Sequence, residues 1–258
     1  MLVYADDQAM LMPMFLHGNY QKKDLLAAVD LIAKAGRPLG GSFVDAGAHL
    51  GSSTVYALKS GHFSGAICCE PEPRNLRLLR ANLALNEIES RVTVYPVALS
   101  DHAGTFDLEI SPDNNRGDHR LVSSRSPIDP PEAMSESRRP HISVRASTLD
   151  EILDKTSVAP TSVSLVWLDT QGHEGFVLAG ASRVIQARVP FVIEFWPYGM
   201  KRAGCLDLLL TLIGTQFHTY YDLAEGFDAS ARSSSTIGDI VARIGNTLQS
   251  TDLLLIPR

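Results

Sequence analysis

The spacing of hydrophobic residues changes several times along the chain, and each change marks an element. Over residues 24–35, Leu25, Leu26, Val29, Ile32 and Ala33 recur at helical spacing, and Gly36, Pro38, Gly40 and Gly41 stop the run. A short apolar run from Phe43 closes on Asp45, and 66–69 has the same character and closes on Glu70, as buried strands of a parallel sheet do. Pro73 then suits a helix's first turn, and Leu76, Leu79 and Leu83 carry that helix to Asn86. Residues 92–99 predict a third strand and 105–110 a further short one. Extended structure resumes at 141–144, followed by a short capped helix at 148–153. A buried strand at 164–168 ends at Asp169, a helix covers 174–187, and another strand covers 190–195. A helix over 201–213 and strands over 217–223 and 252–256, paired antiparallel at an edge, complete the pattern. The alternation predicts an α/β fold: a mostly parallel sheet with an antiparallel edge strand and helices on both faces.

Two stretches lack a period. Residues 1–20 are irregular, with methionines at 1, 10, 12 and 14, and read as a loose strap, a cover over a cleft or a contact within a homodimer. Residues 111–140 are rich in proline and serine and carry Arg116, Arg120, Arg125 and the pair Arg138-Arg139. A segment of this length in a compact domain is a lid, a binding loop or disorder. The expectation is a mobile lid over an acceptor, with Arg116 and Arg120 offered to an acidic group, and a plain disordered insertion is the rival. Arg138-Arg139 reads as a solvated loop. The domain organisation is then an N-terminal extension and helix over 1–41 and one domain over 42–258 with an insertion at about 111–140.

Candidate chemistry concentrates at the strand ends. The run Phe43-Val44-Asp45-Ala46-Gly47-Ala48-His49-Leu50-Gly51-Ser52-Ser53-Thr54 leaves a strand, turns through glycine and enters a helix. Nucleotide-like cofactors bind beyond the carboxyl ends of such strands. A dinucleotide fingerprint needs G-x-G-x-x-G, and from Gly47 this chain offers His49 and Ser52 at the second and third positions. A cofactor without a diphosphate fits better. Glu70, at the end of the second strand, is placed to accept hydrogen bonds from both hydroxyls of a ribose.

The chain resembles the FkbM family of S-adenosylmethionine-dependent methyltransferases. The resemblance rests on Val44 to Gly51, on Glu70-Pro71 with the helix end from Leu83 to Asn86, on Ala98-Leu99-Ser100-Asp101, and on Leu168-Asp169-Thr170-Gln171-Gly172-His173-Glu174-Gly175. These blocks span roughly residues 40 to 197, and the last is the most specific. The resemblance implies a class I methyltransferase (Rossmann-like) fold with S-adenosylmethionine as cofactor. Asp45, Gly47, His49, Gly51 and Thr54 would surround its methionine portion, Glu70 its ribose, and Ala98, Leu99 and Ser100 its adenine.

Asp169, His173 and Glu194 are the candidate catalytic residues. Methylation of an alcohol removes a proton, and His173 titrates near neutrality, which suits a general base oriented by Asp169 or Glu174. The plainer alternative makes Asp169 a helix cap, Glu174 a partner of the helix dipole and His173 a surface residue. Glu194, an acid within the apolar strand 190–195, holds an acceptor hydroxyl or pairs with an arginine. Trp196 and Tyr198 could wall the acceptor or belong to the core. The family often has an acid at the position of Gln171, and the amide here weakens any metal scheme from Asp169 and Glu194, so no metal is expected.

Composition adds limits. The 258 residues are 45% hydrophobic and 20% charged, with formal net charge −6, which suits a globular protein and gives no general attraction to nucleic acid. The three cysteines, Cys68, Cys69 and Cys205, read as buried free thiols. No membrane-length apolar run or leader is apparent, so a cytoplasmic protein acting on a small-molecule acceptor is expected. The leading expectation is O-methylation of a small molecule or sugar-containing metabolite. A catalytically idle cofactor-binding module and a nicotinamide-dependent oxidoreductase are the alternatives.

Overall fold

The computed structural model describes residues 1–112, 114–127, 132–245 and 247–258. Its strands are β1 (Ser42–Ala46), β2 (Gly65–Cys69), β3 (Val92–Tyr95), β4 (Ala98–Leu99), β5 (Gly104–Glu109), β6 (Arg120–Leu121), β7 (His141–Ser147), β8 (Val163–Leu168), β9 (Phe191–Phe195), β10 (Phe217–Asp222), β11 (Arg232–Ser233) and β12 (Thr251–Pro257). The α-helices are α1 (Gln8–His17), α2 (Lys22–Lys34), α3 (Ser52–Lys59), α4 (Pro73–Leu85), α5 (Leu149–Thr156), α6 (Glu174–Ala179), α7 (Ser182–Gln186), α8 (Pro197–Ala203), α9 (Leu206–Gln216) and α10 (Ile237–Ile244).

The main sheet has the order β11-β10-β12-β9-β8-β1-β2-β3. From β9 to β3 the strands are parallel. β12 runs antiparallel to both β9 and β10. The expected antiparallel edge pair is therefore partly inside the sheet. Leu253, Leu254 and Leu255 are fully buried, so β12 needs cover on both faces, whereas β10 mixes buried positions with partly and fully exposed ones and lies nearer the edge. One apolar cluster packs α5, α6 and α9 on one face, and a second packs α2, α3 and α4 on the other. This is the α/β architecture that the strand pattern predicts, and it agrees with the class I methyltransferase fold that the resemblance implies.

Four expectations change. Residues 8–17 form a helix whose N-terminus is capped by Asp7, which accepts from the Met10 N–H at 3.2 Å. The predicted strand over 92–99 divides at Pro96, and Ala98–Leu99 joins a second sheet of order β4-β7-β5-β6. The helices predicted over 174–187 and 201–213 are each two shorter ones, α6 with α7 and α8 with α9.

The insertion at 111–140 also differs from a featureless lid. Asp113 and residues 128–131 lie outside the described residues; the remainder contains β6 and a buried ionic cluster. Arg120 donates to both oxygens of Asp118 at 2.7 and 2.8 Å and to Glu136 at 2.8 Å, and Arg139 donates to Asp118 at 2.7 Å. Tyr198 donates to Glu136 at 2.6 Å, and the Arg120 guanidinium lies 4.5 Å over Trp196. Arg120 and Arg139 are buried and bonded to Asp118 and Glu136, so neither stands as a solvated cation free to pair with an acidic acceptor. Trp196 and Tyr198 brace this cluster.

Candidate active site

Each acid at a strand end is held by the turn that follows it. Asp45, buried at the end of β1, accepts from the Thr54 N–H at 3.1 Å and the Thr54 hydroxyl at 2.5 Å, which ties the strand to the first turn of α3. Gly47 has φ +80°, and a Cβ there would fall 1.9 Å from the Asp169 carbonyl oxygen. Only glycine allows the ends of β1 and β8 to meet so closely. His49 follows in the left-handed region and donates its N–H to Glu70 at 2.8 Å, and the Glu72 N–H donates to the other Glu70 oxygen at 2.8 Å. Both oxygens of Glu70 are thereby aimed, and each keeps capacity for a further donor.

Two cavities meet beyond these strand ends. One, of about 500 Å³, is lined by Glu70, Ala98, Leu99, Leu108 and Leu121 among others. The second, of about 720 Å³, is lined by Asp45, Tyr20, Trp167 and Glu194 among others. Gly47, His49, Gly117, Asp169 and Gln171 line both and form the waist between them. Over the second cavity, Ala9 and Gln21 of the N-terminal segment meet Asn115 and Gly117 of the insertion. Asp7 accepts from the Arg116 N–H at 3.2 Å, and the Arg116 side chain bonds Asp6 at 2.9 Å and lies 4.4 Å over Tyr4. Arg116 thus latches the strap to the insertion.

The waist is acidic and held by an amide. Gln171, with φ 54°, donates through Nε2 to Asp169 at 2.6 Å and to Glu194 at 2.8 Å, and the Ser250 hydroxyl donates to Glu194 at 3.0 Å. Glu174 accepts from the Thr170 N–H at 2.8 Å and its hydroxyl at 2.9 Å. Removal from water raises all these carboxyls. It takes Asp45 to about 7, with the charge of Asp169 adding to the rise, Glu70 to about 8 against two backbone N–H bonds, and Glu174 to about 7. Glu194 is raised well above the usual carboxylate range by desolvation and then by Asp169, and Asp169 is itself raised by desolvation.

The structure brings Asp45, Gly47, His49, Glu70, Ala98, Leu99, Asp169 and Glu194 onto one cleft. Gly51 and Thr54 stand behind it, supporting the turn and Asp45. His173 is elsewhere. It is buried between Phe106 and Phe176, with its Nε2 3.0 Å from the Ser100 hydroxyl, and burial lowers it to about 4. Its hydrogen-bond partner is Ser100, and the expected pairing with Asp169 or Glu174 is not made. Glu194 bonds an amide and a hydroxyl rather than an arginine. Tyr20 and the bridging role of Gln171 escaped sequence reasoning; Gln171 left a trace only as an amide at an unusual position. No helix among the described residues is long and apolar enough to cross a membrane.

Comparison with known proteins places this geometry. The model of the methyltransferase FkbM domain matches residues 45–220. The 2-O-methyltransferase NoeI of Sinorhizobium fredii (strain NBRC 101917 / NGR234) is 29% identical over 147 residues, 55% of this chain and 58% of that protein. The match thus spans little more than half of that relative's length. The crystal structure of methyltransferase FkbM from Methylobacillus flagellatus KT is 19% identical with a TM-score of 0.47, covering 84% of this chain and 43% of that one. A putative O-methyltransferase from Klebsiella pneumoniae is 8% identical with a TM-score of 0.49, covering 100% and 92%. The chain belongs to the FkbM methyltransferase family.

Proposed function

We propose that this family member transfers a methyl group from S-adenosylmethionine to a hydroxyl oxygen of a small-molecule or sugar-containing acceptor. The observation that carries the reading is the Asp169–Gln171–Glu194 bridge at the waist, between a cavity that suits a nucleoside and one rich in acids. The residues present fit the cofactor. Glu70 offers two aimed oxygens to a ribose diol, and Ala98 and Leu99 give an apolar wall for adenine next to the Ser100 backbone. His49 Nε2 is buried without a hydrogen-bond partner among the described residues, and His49 lines both cavities. The turn from Asp45 to Gly51 would hold the methionine portion, and the acids of the second cavity complement a cation there.

The bound cofactor supplies an electrophilic methyl group. The protein's part is to hold the acceptor oxygen in line and to take its proton. Asp169 and Glu194 share one low-dielectric site, so one carboxyl favours the protonated form while the other is ionised and can accept the acceptor's proton. Gln171 fixes their spacing, and the latched roof keeps water out.

The test is transfer from methyl-labelled cofactor to a metabolite extract by the parent protein, Asp169→Asn and Glu194→Gln, with cofactor affinity measured in parallel. The expectation is a fall in turnover of about 10²–10⁴-fold, the usual weight of a general base, with cofactor affinity changed only a few-fold. Cofactor binding without transfer to any acceptor would identify an idle binding module, and binding of NAD with no response to S-adenosylmethionine would overturn the reading.

A further inference from the structure

A third cavity, of about 460 Å³, lies beside the waist between β5, β6 and α8. Gln171 and Leu121 line it together with the nucleoside cavity, so it opens from the place where the reaction is assigned. Two of its lining side chains carry a fully buried polar atom without a hydrogen-bond partner: Glu109 Oε2 and His173 Nδ1. Glu109 is 6% exposed and His173 2%. A buried polar atom left unpaired costs free energy, so native proteins rarely keep two in one place without a use.

Glu109 Oε2 is an acceptor, and so is His173 Nδ1 in the tautomer assigned by letting the Ser100 hydroxyl donate to Asp101 at 3.3 Å, which puts the ring hydrogen on Nε2 toward Ser100. Burial keeps the ring uncharged at neutral pH. Glu109 is ionically tied through its other oxygen to Arg202, at 2.7 Å. A ligand that satisfied both would present two hydrogen-bond donors. The surrounding charge narrows the class further. Arg202 and Arg120 both line the cavity and would repel a cationic amine, while the open oxygen of Glu109 would repel a carboxylate or phosphate. A neutral ring bearing several hydroxyls meets both demands, and Leu121, Val122 and Ala203 supply an apolar wall for its C–H face.

We infer that the cavity between β5, β6 and α8 is a subsite for an uncharged, polyhydroxylated ring, the part of the acceptor that is held rather than methylated, with Glu109 and His173 as its hydrogen-bond acceptors. This rests on the methyltransferase reading above. It also gives His173 a binding task.

The experiment uses the full chain saturated with S-adenosylhomocysteine and three probes that share one ring and differ in charge: methyl glucoside, glucosamine and glucuronate. Ligand-detected NMR titration measures their binding to the parent, Glu109→Gln and His173→Phe, with thermal melting to confirm that each variant is folded. The expected result is binding of the neutral glycoside in preference to both charged rings, with affinity at least tenfold lower in each variant while S-adenosylhomocysteine binds all three proteins alike. Preference for glucosamine or glucuronate overturns the ligand class. Absence of binding by every probe, or binding indifferent to both substitutions, overturns the subsite and leaves the methyltransferase reading standing. Failure of S-adenosylhomocysteine to bind the parent overturns both.

Discussion

Two groups of buried acids lie close together in this molecule and are treated in opposite ways. In the insertion, Asp118 and Glu136 are matched by Arg120 and Arg139, and Tyr198 adds a donor. Although burial opposes it, the bonds from Tyr198, the Met134 N–H and Arg120 hold Glu136 down at about 2. On the cleft floor, Asp45, Glu70, Asp169, Glu174 and Glu194 are bonded by amides and hydroxyls, with Asp169 and Glu194 also bonded to each other, and no lysine or arginine bonds them among the described residues. Every one of them is raised. The first group is neutralised within the fold by its ion pairs, which tie the insertion together. The second lacks cationic partners, which stabilises nothing in the free protein and leaves an acidic surface that a cationic, hydroxyl-bearing cofactor, proposed to sit there, would help to ionise.

The contrast can be broken most directly through stability. Arg120→Leu strands Glu136 and half of Asp118 in the interior, and urea denaturation should show a loss of about 3–5 kcal/mol, as for a buried pair deprived of one partner. A loss below 1 kcal/mol would mean that the cluster is not what orders the insertion. Next in size is cofactor binding. Glu70→Ala should weaken S-adenosylmethionine by about 1.5–3 kcal/mol, the range for hydrogen bonds to a charged group, read by calorimetry; parent-like affinity would dissociate Glu70 from the ribose.

The pH dependence sharpens the same point. Glu70 holds a proton below about 8, and a diol needs the ionised form as its acceptor. Affinity should therefore rise with pH and level off above 8, by about fivefold between pH 7 and 8. Proton release should appear as a dependence of binding heat on the buffer, and a flat profile would refute the assignment. The smallest effect expected is in Glu194→Gln. Because Glu194 is raised in the folded state, its ionisation costs stability increasingly as pH rises above its unfolded value. At pH 7.5 the substitution should leave the free energy of unfolding unchanged within about 1 kcal/mol, or raise it. A large loss would show Glu194 to be a structural partner after all.

How much of this was readable follows from where the information lies. Asp45, Glu70 and Asp169 were legible because each closes an apolar run, and a parallel sheet brings the ends of all such runs to one edge. The ionic cluster was not, since Asp118, Arg120, Glu136 and Arg139 have no common period and only the folded path of the insertion pairs them. Its proline- and serine-rich composition looks like a loop and hides a core made of charges. Helix α1 was obscured by Pro13 within it. His173 was misplaced for a related reason: the motif puts it near a strand end, but the turn at Gln171 and Gly172 sends it to Ser100 and away from the acids nearby in sequence.

The contact of Gly47 with the Asp169 carbonyl has a bearing on redesign. The spacing between the first and fourth parallel strands at the cleft is set by main chain resting on main chain, with no side chain between. Residues that line the cavities can then be varied widely while the register of the proposed cofactor and base sites is inherited unchanged from the backbone. Position 47 itself should be the least mutable of the cleft: even alanine would push the two strand ends apart, and a saturation library there should recover little besides the parent.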